Sequence, residues 1–433
     1  MEIFIKAAQL LLSLSILVIL HELGHFIPAK LFKTRVEKFY LFFDPWFSLV
    51  KKKVGGTEYG IGWLPLGGYV KISGMIDESM ETEQMSKEPE PWEFRAKPAW
   101  QRLIIMLGGV TVNVVLAFFI YVFAFMAWGD QYLPLQNTSY GVYCDSLGLV
   151  AGFENGDKII SLDGKDIERF NDVIPEIVLN DVKTVRVERS AVFVDLVMSE
   201  EVKTAMLSKH NLFELGFPFI IDEFSKSSAI EAVGAKKGDQ IVSINNKDMR
   251  FAQDVFKYVP TLKGDSASIV LDRDGEEFLL DVFLPEGLMG AQIRRPKDLF
   301  VFEKADYTFL SAIPASLNKT KTTLSNYLKQ FKLIKKSPDS VGGFITIGNI
   351  FPAVWDWKRF WELTAFLSIM LAVLNVLPIP ALDGGHVVFL LYEMATGRKP
   401  HEKVLEYAQI TGMILLLALI VYANGNDIVR LFS

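Results

Sequence analysis

The chain has 433 residues, half of them apolar and 33 of them phenylalanine, and its formal net charge is −6. This acidic balance lacks the basic footprint of a nucleic-acid-binding protein, so we expect no nucleic-acid partner. The single cysteine, Cys144, excludes an intrachain disulfide. The apolar residues are concentrated in four stretches that are almost free of charge, which indicates a polytopic membrane protein.

Three of these stretches are long enough to cross a lipid bilayer. Residues 103–129, 363–382 and 407–426 carry no charge, and about 20 apolar residues span a ~30 Å hydrocarbon core. The first stretch, residues 7–20, is shorter and becomes a span only if the HELGH sequence after it also lies at membrane depth. A cleavable signal peptide is the alternative, although HELGH is a poor cleavage site. We predict four transmembrane helices, at residues 1–29, 102–129, 359–396 and 404–426.

Positive charges in the connecting segments predict the orientation in the membrane. Residues 26–102 carry 12 Lys and Arg, and the short segment after the third span carries Arg398, Lys399 and Lys403. By the positive-inside tendency both segments are cytoplasmic. Both chain termini and the long segment between the second and third spans are therefore expected outside.

The long outer segment contains a weak duplication. Residues 152–167 match residues 234–249 without gaps at an offset of 82 residues. Each copy combines a Gly-Asp turn, a β-branched run and a tight turn, which predicts a β-hairpin. The layout resembles PDZ domains of bacterial membrane and envelope proteases, so we predict two tandem PDZ-like α+β domains at residues 130–215 and 216–300. Another small all-β module with Gly-Asp turns is the alternative, and a carboxylate-binding loop at residues 140–143 stays open.

Residues 301–358 are predicted to be an amphipathic helical linker. From residue 306 to 337, Leu, Tyr and Phe alternate with Lys at helical spacing. Such a helix lies either on a membrane or on the protein itself.

The HELGH sequence is an HExxH motif formed by His21, Glu22 and His25. Residues four apart lie on one face of a helix, so both imidazoles can reach one metal ion. Zinc lowers the pKa of water to about 7, and Glu22 is placed to take its proton. Polar residues in an apolar helix are costly and usually mark function. The alternative is a helix end that faces the aqueous boundary.

A catalytic zinc site needs a third protein ligand, and Asp383 is the best candidate. His210 lies in the outer segment and His401 in a charged loop, so neither is well placed. Asp383 is the only charged residue from 363 to 392, and an unpaired carboxylate at that depth is expensive. The alternative is an Asp that caps a helix starting at Gly384. His386 is expected to lie in the second shell or simply to be packed.

Two prolines, Pro378 and Pro380, precede this aspartate inside the predicted third span. Prolines free backbone carbonyls, and unwound backbone in a membrane is tolerated where it lines a cavity or is buried in protein. We predict a substrate cavity there, where Asn375 could bond an extended peptide or orient its scissile carbonyl. An ordinary proline kink with a helix-packing Asn is the alternative.

HELGH near the N-terminus, followed by Asn-x-x-Pro-x-Pro-x-Leu-Asp-Gly at residues 375–384, resembles the site-2 protease family of intramembrane zinc proteases. The resemblance covers essentially the whole chain. It implies that His21, His25 and Asp383 bind Zn²⁺ and that Glu22 is the general base.

Two further segments resemble that family. Residues 64–71, which include Gly67, Gly68 and Tyr69, resemble its membrane-reentrant β-loop, within a cytoplasmic-side region predicted at residues 30–101. We predict a β-hairpin whose open strand edge pairs with an unwound substrate; a solvent-exposed hairpin is the alternative. The family often has Gly-Pro-x-x-Asn in the second span. This chain lacks the proline but retains Asn113, which is either part of the site or a helix-packing residue.

The resemblance implies an endopeptidase of the bacterial inner membrane with its active site near the cytoplasmic side. Its expected substrates are single-pass membrane proteins, such as anti-sigma factors already cut outside or remnant signal peptides. The PDZ-like domains would delay the cut until the outer part of the substrate is gone. A non-catalytic membrane scaffold is one alternative, but its structural metal would need a fourth ligand. A metal transporter is another, but it would need more intramembrane acids and histidines.

Overall fold

The computed structural model describes residues 1–65, 67–75, 88–207, 211–334 and 341–432. The chain separates into two compact units. The membrane unit comprises Met1–Gly129 and Asp306–Ser433, and the inserted unit comprises Asp130–Ala305. The inserted unit thus begins at the residue predicted for the first outer domain and ends five residues beyond the end predicted for the second.

The described helices and strands are numbered here in chain order. The α-helices are α1 Glu2–Leu31, α2 Ala99–Trp128, α3 Ser146–Val150, α4 Val173–Leu179, α5 Glu200–Leu207, α6 Ala229–Ala232, α7 Ala252–Tyr258, α8 Pro296–Leu299, α9 Phe309–Ile334, α10 Phe344–Ile350, α11 Trp357–Val376, α12 Asp383–Thr396 and α13 Glu402–Phe432. The strands are β1 Val36–Leu41, β2 Phe43–Val54, β3 Thr57–Leu64, β4 Tyr69–Ile72, β5 Asp130–Tyr132, β6 Val142–Cys144, β7 Lys158–Leu162, β8 Lys165–Asp166, β9 Thr184–Arg189, β10 Val192–Val197, β11 Phe213–Leu215, β12 Ile221–Phe224, β13 Gln240–Ile244, β14 Lys247–Asp248, β15 Asp265–Arg273, β16 Glu276–Leu284, β17 Ala291–Ile293 and β18 Glu303–Ala305. Short 3₁₀ helices lie at Phe94–Ala96, Leu135–Asn137, Phe170–Asp172 and Val259–Leu262.

Four helices of the membrane unit, α1, α2, α11 and α13, are long and apolar enough to cross a membrane. The prediction of a polytopic membrane protein agrees with this finding. The third span differs from the predicted range 359–396, because helix α11 ends at Val376 and α12 begins only at Asp383. Pro378 and Pro380 lack N–H donors and disfavour the helical conformation in the residues before them, which interrupts the helix there.

Helix α2 is the centre of the membrane unit, where it contacts α1, α9, α11 and α12. The backbones of α1 and α2 touch at two glycines. A Cβ on Gly108 would lie 1.9 Å from the carbonyl oxygen of Gly24, so neither position has room for a side chain. Small residues permit this close approach of helices in membranes.

The amphipathic helix predicted in the linker is α9, and it packs on the protein. Its residues Leu324, Tyr327 and Phe331 contact a buried cluster that α2 and α11 form, including Tyr121. Of the two placements left open by the sequence, contact with the protein is therefore the one observed for this face.

Strands β1 to β4, in the segment predicted to be cytoplasmic, form a four-stranded sheet in the order β2-β3-β1-β4. The hairpin predicted at residues 64–71 is wrong, because β1 lies between β3 and β4, and Leu66 falls outside the described residues. The pairing of β1 with β3 is favoured by Gly60, since a Cβ there would lie 2.3 Å from the ring of Tyr40. The true hairpin joins β2 to β3 through Gly55 and Gly56. Strand β4 nevertheless forms an edge of the sheet, as an open strand edge requires.

The inserted unit consists of two repeats with the same strand order. Read from the short strand of the hairpin, the first repeat has the order β8-β7-β9-β10 and the second has the order β14-β13-β15-β16. The predicted hairpins β7–β8 and β13–β14 are present, and both turns have residues with positive φ at both central positions, as type I′ turns require. Each repeat has its own buried apolar cluster, the first between residues 135 and 213 and the second between residues 219 and 289.

The aspartate of each Gly-Asp turn is buried and makes the same contacts in both repeats. Asp157 accepts hydrogen bonds from Arg189 at 2.7 and 2.8 Å, and Asp239 accepts two from Arg273 at 2.7 Å. Asp239 also accepts the backbone N–H of Lys236 at 2.8 Å. Hydrogen bonding to the Arg273 guanidinium holds the pKa of Asp239 below its usual range. The duplicated sequence signature therefore marks a duplicated ion pair.

We predict that Asp239→Asn destabilises the second repeat by about 2 kcal/mol at pH 7, because Arg273 loses its charged partner. The folded pKa of Asp239 is depressed, so its contribution is complete above about pH 3.9 and is lost as pH falls through the lower folded value. In Asp239→Asn this contribution to the free energy of unfolding should be absent, so its loss in acid should not be seen. Hydrogen exchange of the full-length protein, followed peptide by peptide, measures the change.

The matched control is Asp157→Asn, which should raise exchange in the first repeat and leave the second unchanged. Equal protection of the second repeat in wild type and Asp239→Asn would contradict the assignment.

Candidate metal centre

The three side chains predicted to bind a metal lie together in the membrane unit. The Oδ2 atom of Asp383 is 3.4 Å from His21 Nε2 and 3.3 Å from His25 Nε2. The two Nε2 atoms are 3.3 Å apart. His21 and His25 come from α1, while Asp383 is the first residue of α12, more than 350 positions along the chain.

These distances fit one tetrahedral zinc ion. With metal–ligand bonds of ~2.0–2.1 Å, two ligands of a tetrahedral site are about 3.4 Å apart. The Oδ2 atom of Asp383 is buried, and no hydrogen-bond partner is found for it in the described part of the chain. A buried carboxylate oxygen needs a partner, and a cation between it and the two imidazoles supplies one. The alternative was an Asp that caps a helix starting at Gly384, but the helix begins at Asp383 itself and its N-cap residue is Leu382.

Each imidazole is oriented through its other nitrogen by helix α2. His25 Nδ1 lies 2.8 Å from the carbonyl oxygen of Ile105, which can only accept, so Nδ1 carries the proton and Nε2 keeps its lone pair. His21 Nδ1 lies 3.0 Å from the amide of Asn113, whose Oδ1 atom is otherwise buried without a partner. With this amide turned over, Oδ1 accepts the Nδ1 proton of His21, which leaves Nε2 with the lone pair that a metal needs.

Helix α2 can approach the histidines because of Gly109. A Cβ at this position would lie 2.3 Å from His25 Nε2 and 2.6 Å from a ring carbon of His21. Ile105, Gly109 and Asn113 recur every fourth residue and so share one helix face. This segment lacks the proline that the family often has, and α2 runs without interruption from Ala99 to Trp128. Asn113 could be recognised as a candidate from the sequence, whereas Ile105 could not, because it acts through its backbone carbonyl.

Glu22 lies beside the metal ligands and faces a cavity of about 550 Å³, which His21, His25 and Asp383 also line. The first residues of the edge strand form part of the cavity wall. At Gly68, the residue before β4, a Cβ would lie 2.6 Å from a methyl group of Val18 and 3.5 Å from Glu22 Cγ. Only a glycine lets strand β4 come this close to α1.

The remaining predicted residues divide into two groups. Tyr69 lines the cavity, and its hydroxyl donates to Asp44 at 2.9 Å. Asn375 Nδ2 is 3.1 Å from His21 Nε2, so it stands next to the metal ligands. By contrast, Pro378 is exposed, and Pro380 lines a smaller neighbouring cavity.

The other histidines and Gly67 occupy different positions. His386 lines both cavities, which agrees with a place outside the ligand set. His401 is exposed, and its Nδ1 accepts the backbone N–H of Lys403 at the start of α13. His210 lies outside the described residues. Gly67 has a φ of 148° and packs beside the ring of Phe43, where a Cβ would meet it at 3.1 Å.

Comparisons with known proteins agree with this geometry. Residues 9–419 match the profile of peptidase family M50. The chain belongs to peptidase family M50. A Neisseria meningitidis protein is 29% identical over 97% of this chain and 98% of its own, and one from Rickettsia conorii is 28% identical over 98% of each. A Campylobacter jejuni protein is 26% identical over 98% of this chain and 93% of its own.

All three relatives carry the name "Putative zinc metalloprotease". The family match and these names establish the M50 protein as a zinc metalloprotease and a member of the site-2 protease family, as the HELGH motif and the second motif had implied. Zn²⁺ is its cofactor, and the His-His-Asp cluster is the group of described residues able to hold a metal.

We predict that Asn113→Leu weakens zinc binding about 10- to 100-fold, because His21 loses the acceptor that fixes its tautomer. Asn113→Asp keeps an acceptor and should stay within a few-fold of wild type. Competition with a chelator in the purified full-length enzyme measures the affinity. Ser368→Ala is the control, since Ser368 bonds the backbone oxygen of Asn113 at 2.8 Å and not its amide. Wild-type affinity in Asn113→Leu would show that Asn113 only packs helices.

Proposed function

We propose that the M50 enzyme is an intramembrane endopeptidase that hydrolyses peptide bonds of single-pass membrane proteins. One observation carries the proposal. The two buried histidines lie on α1, a helix able to cross a bilayer, Asp383 begins α12 beside them, and the cluster faces a cavity bordered by the edge strand β4. Ionisable groups at such a depth are expensive and are functional by default.

The chemistry follows from the placement of Glu22. When bound by His21, His25 and Asp383, zinc supplies the Lewis acidity that polarises a peptide carbonyl and lowers the pKa of water to about 7. Glu22 accepts the proton of the attacking water and passes it to the leaving amine, as a general base and then a general acid. Asn375 can donate its amide N–H to the substrate carbonyl beside His21.

The edge strand provides a binding site for an extended substrate. A transmembrane helix satisfies its backbone groups internally, so it has to unwind before its peptide bond is accessible. Among the described strands β4 lies at an edge of the sheet, and an edge strand can take up an extended segment as a new neighbouring strand. Gly68 lets this edge lie against α1 beside Glu22, Gly67 packs beside the ring of Phe43, and Tyr69 adds an aromatic wall. Pro378 and Pro380 keep the chain unwound between α11 and α12.

We propose that the active site lies near the cytoplasmic side of a bacterial inner membrane. His21 lies roughly 28 Å along α1 from its first residue, at 1.5 Å per residue, and the Lys- and Arg-rich segment of residues 26–102 follows. By the positive-inside tendency this end of α1 is cytoplasmic, so both termini and the inserted unit are outside.

The two repeats of the inserted unit are proposed to be PDZ-like domains that act as a size filter. Their shared strand order and the Gly-Asp signature support the PDZ-like assignment. In the candidate carboxylate-binding loop, the N–H groups of Gly141 and Val142 already donate to Thr138 and Asp157. These amides are therefore not free for a peptide carboxylate, which favours exclusion of bulky substrates over peptide capture at this loop. Substrates would be anti-sigma factors after a first outside cut, or remnant signal peptides.

We predict that Glu22→Gln lowers the rate of peptide cleavage at least about 100-fold, because general-base catalysis is worth 10²–10⁴-fold. Zinc content should be unchanged, since Glu22 is not among the ligands. Cleavage of a single-span reporter by the purified enzyme measures the rate. Glu2→Gln, an exposed glutamate on the same helix, is the control. A near-normal rate in Glu22→Gln would overturn the mechanism.

The size filter predicts that removal of the inserted unit abolishes discrimination by substrate size. Asp130 and Ala305 are direct partners in the β5–β18 pair, so their Cα atoms are about 5 Å apart and Gly129 can be joined to Asp306 by a short glycine linker. Two reporters share one transmembrane segment, and only one carries a folded outer domain. The intact enzyme should cut the bare reporter alone, and the shortened enzyme should cut both.

Equal cleavage of the two reporters by the intact enzyme would contradict the filter, and so would continued discrimination by the shortened enzyme.

A further inference from the structure

The segment that carries the ligand Asp383 contains a strained residue two positions earlier. Ala381 has a φ of 83°, a left-handed conformation that residues with a Cβ adopt only when their surroundings impose it. A shift of this backbone would move the start of α12, where Asp383 lies. The contacts that hold Ala381 therefore bear on the metal centre.

Helix α13 supplies such a contact. The backbone N–H of Ala381 donates to the side-chain Oε1 of Gln409 at 3.1 Å. Gln409 is buried, with 7% of its surface exposed, and it lines both the cavity at the metal ligands and the neighbouring one. Its side chain thus reaches from α13 to the segment between α11 and α12.

A second contact lies three residues further along α13, on the same face. A Cβ on Gly412 would lie 1.6 Å from the carbonyl oxygen of Pro380, so the α13 backbone presses directly on this segment. On the other side of the segment, a Cβ on Gly384 would lie 2.2 Å from the carbonyl oxygen of Leu377. The segment is therefore held between α13 and the first turn of α12.

The geometry points to Gln409 as a positioning residue for the metal centre. Its amide oxygen fixes the left-handed Ala381 and so holds the Asp383 carboxylate opposite His21 and His25. This inference rests on the proposed role of Asp383 as a ligand, and it assigns to α13 a part in the active site that the two sequence motifs do not contain. A displacement of α13 that breaks the hydrogen bond between Gln409 and Ala381 would therefore loosen the position of Asp383.

The test compares two replacements of Gln409 in the full-length enzyme. Gln409→Met keeps the volume and removes the acceptor, so we expect zinc affinity to fall about 10- to 100-fold, as with loss of other outer-shell contacts. Gln409→Glu keeps an acceptor oxygen and should restore affinity to within about threefold of wild type. Chelator competition measures affinity. The visible absorption of the Co²⁺-substituted protein reports whether the ligand geometry changes in Gln409→Met and returns in Gln409→Glu.

Two controls make the outcome decisive. Thr411→Val alters a residue of α13 whose hydroxyl donates to the Tyr407 carbonyl of the same helix, at 2.8 Å, and it should leave affinity and spectrum unchanged. Thermal unfolding of each metal-free variant shows whether the fold survives. Wild-type affinity and spectrum in Gln409→Met, or equal losses in Met and Glu variants that fold, would overturn the inference.

Asp383→Ala separates this inference from the proposed function. If Asp383→Ala binds zinc as wild type does, the proposed ligand set is wrong whatever Gln409 does. If Asp383→Ala loses zinc while Gln409→Met does not, the ligand set stands and only the role of Gln409 fails.

Discussion

The membrane unit depends on one electrostatic constraint, which is that the carboxylate of Asp383 is buried among apolar helices and needs a positive partner. Two imidazoles from α1 face it at 3.3 and 3.4 Å, and zinc between them satisfies all three groups. Several local features of the structure bring these three side chains together. The helix interruption before Asp383 aims its side chain, and glycines at 24, 108 and 109 let α2 reach the histidines. The site thus requires three helices to converge within a few ångströms.

The parts of the fold that could be predicted from sequence are those with local signals. The four spans follow from hydropathy, and the HELGH motif follows from helical periodicity, because both are properties of consecutive residues. Asp383 could be chosen as a candidate ligand because a lone charge in an apolar stretch is costly wherever the chain folds. The repeat hairpins could be predicted because Asp, Asn and Gly are the residue types that favour the positive φ of a tight hairpin turn.

The parts that could not be predicted depend on which segments meet in space. The hairpin at residues 64–71 was wrong because strand pairing is non-local, and β1 competes for the position beside β3. Ile105 acts through a backbone carbonyl, which every residue possesses, so its side chain gives no sign of the role. Gln409 is one of several polar residues of α13, and its role becomes apparent only from its contact with the left-handed Ala381. The role of a side chain can often be predicted from its residue type, whereas the role of a backbone group can be recognised only once the fold is known.

The short strand pair β5–β18 closes the inserted unit at its base, since Asp130 lies opposite Ala305. The chain therefore leaves and re-enters the membrane unit at neighbouring points, however many residues lie between them. Duplication, loss or exchange of repeats can occur inside this closure without altering the spacing of α2 and α9. The two copies, 82 residues apart in sequence, are what such an event leaves behind. Variation in the outer segment and constancy of the zinc site can thus evolve independently in one polypeptide.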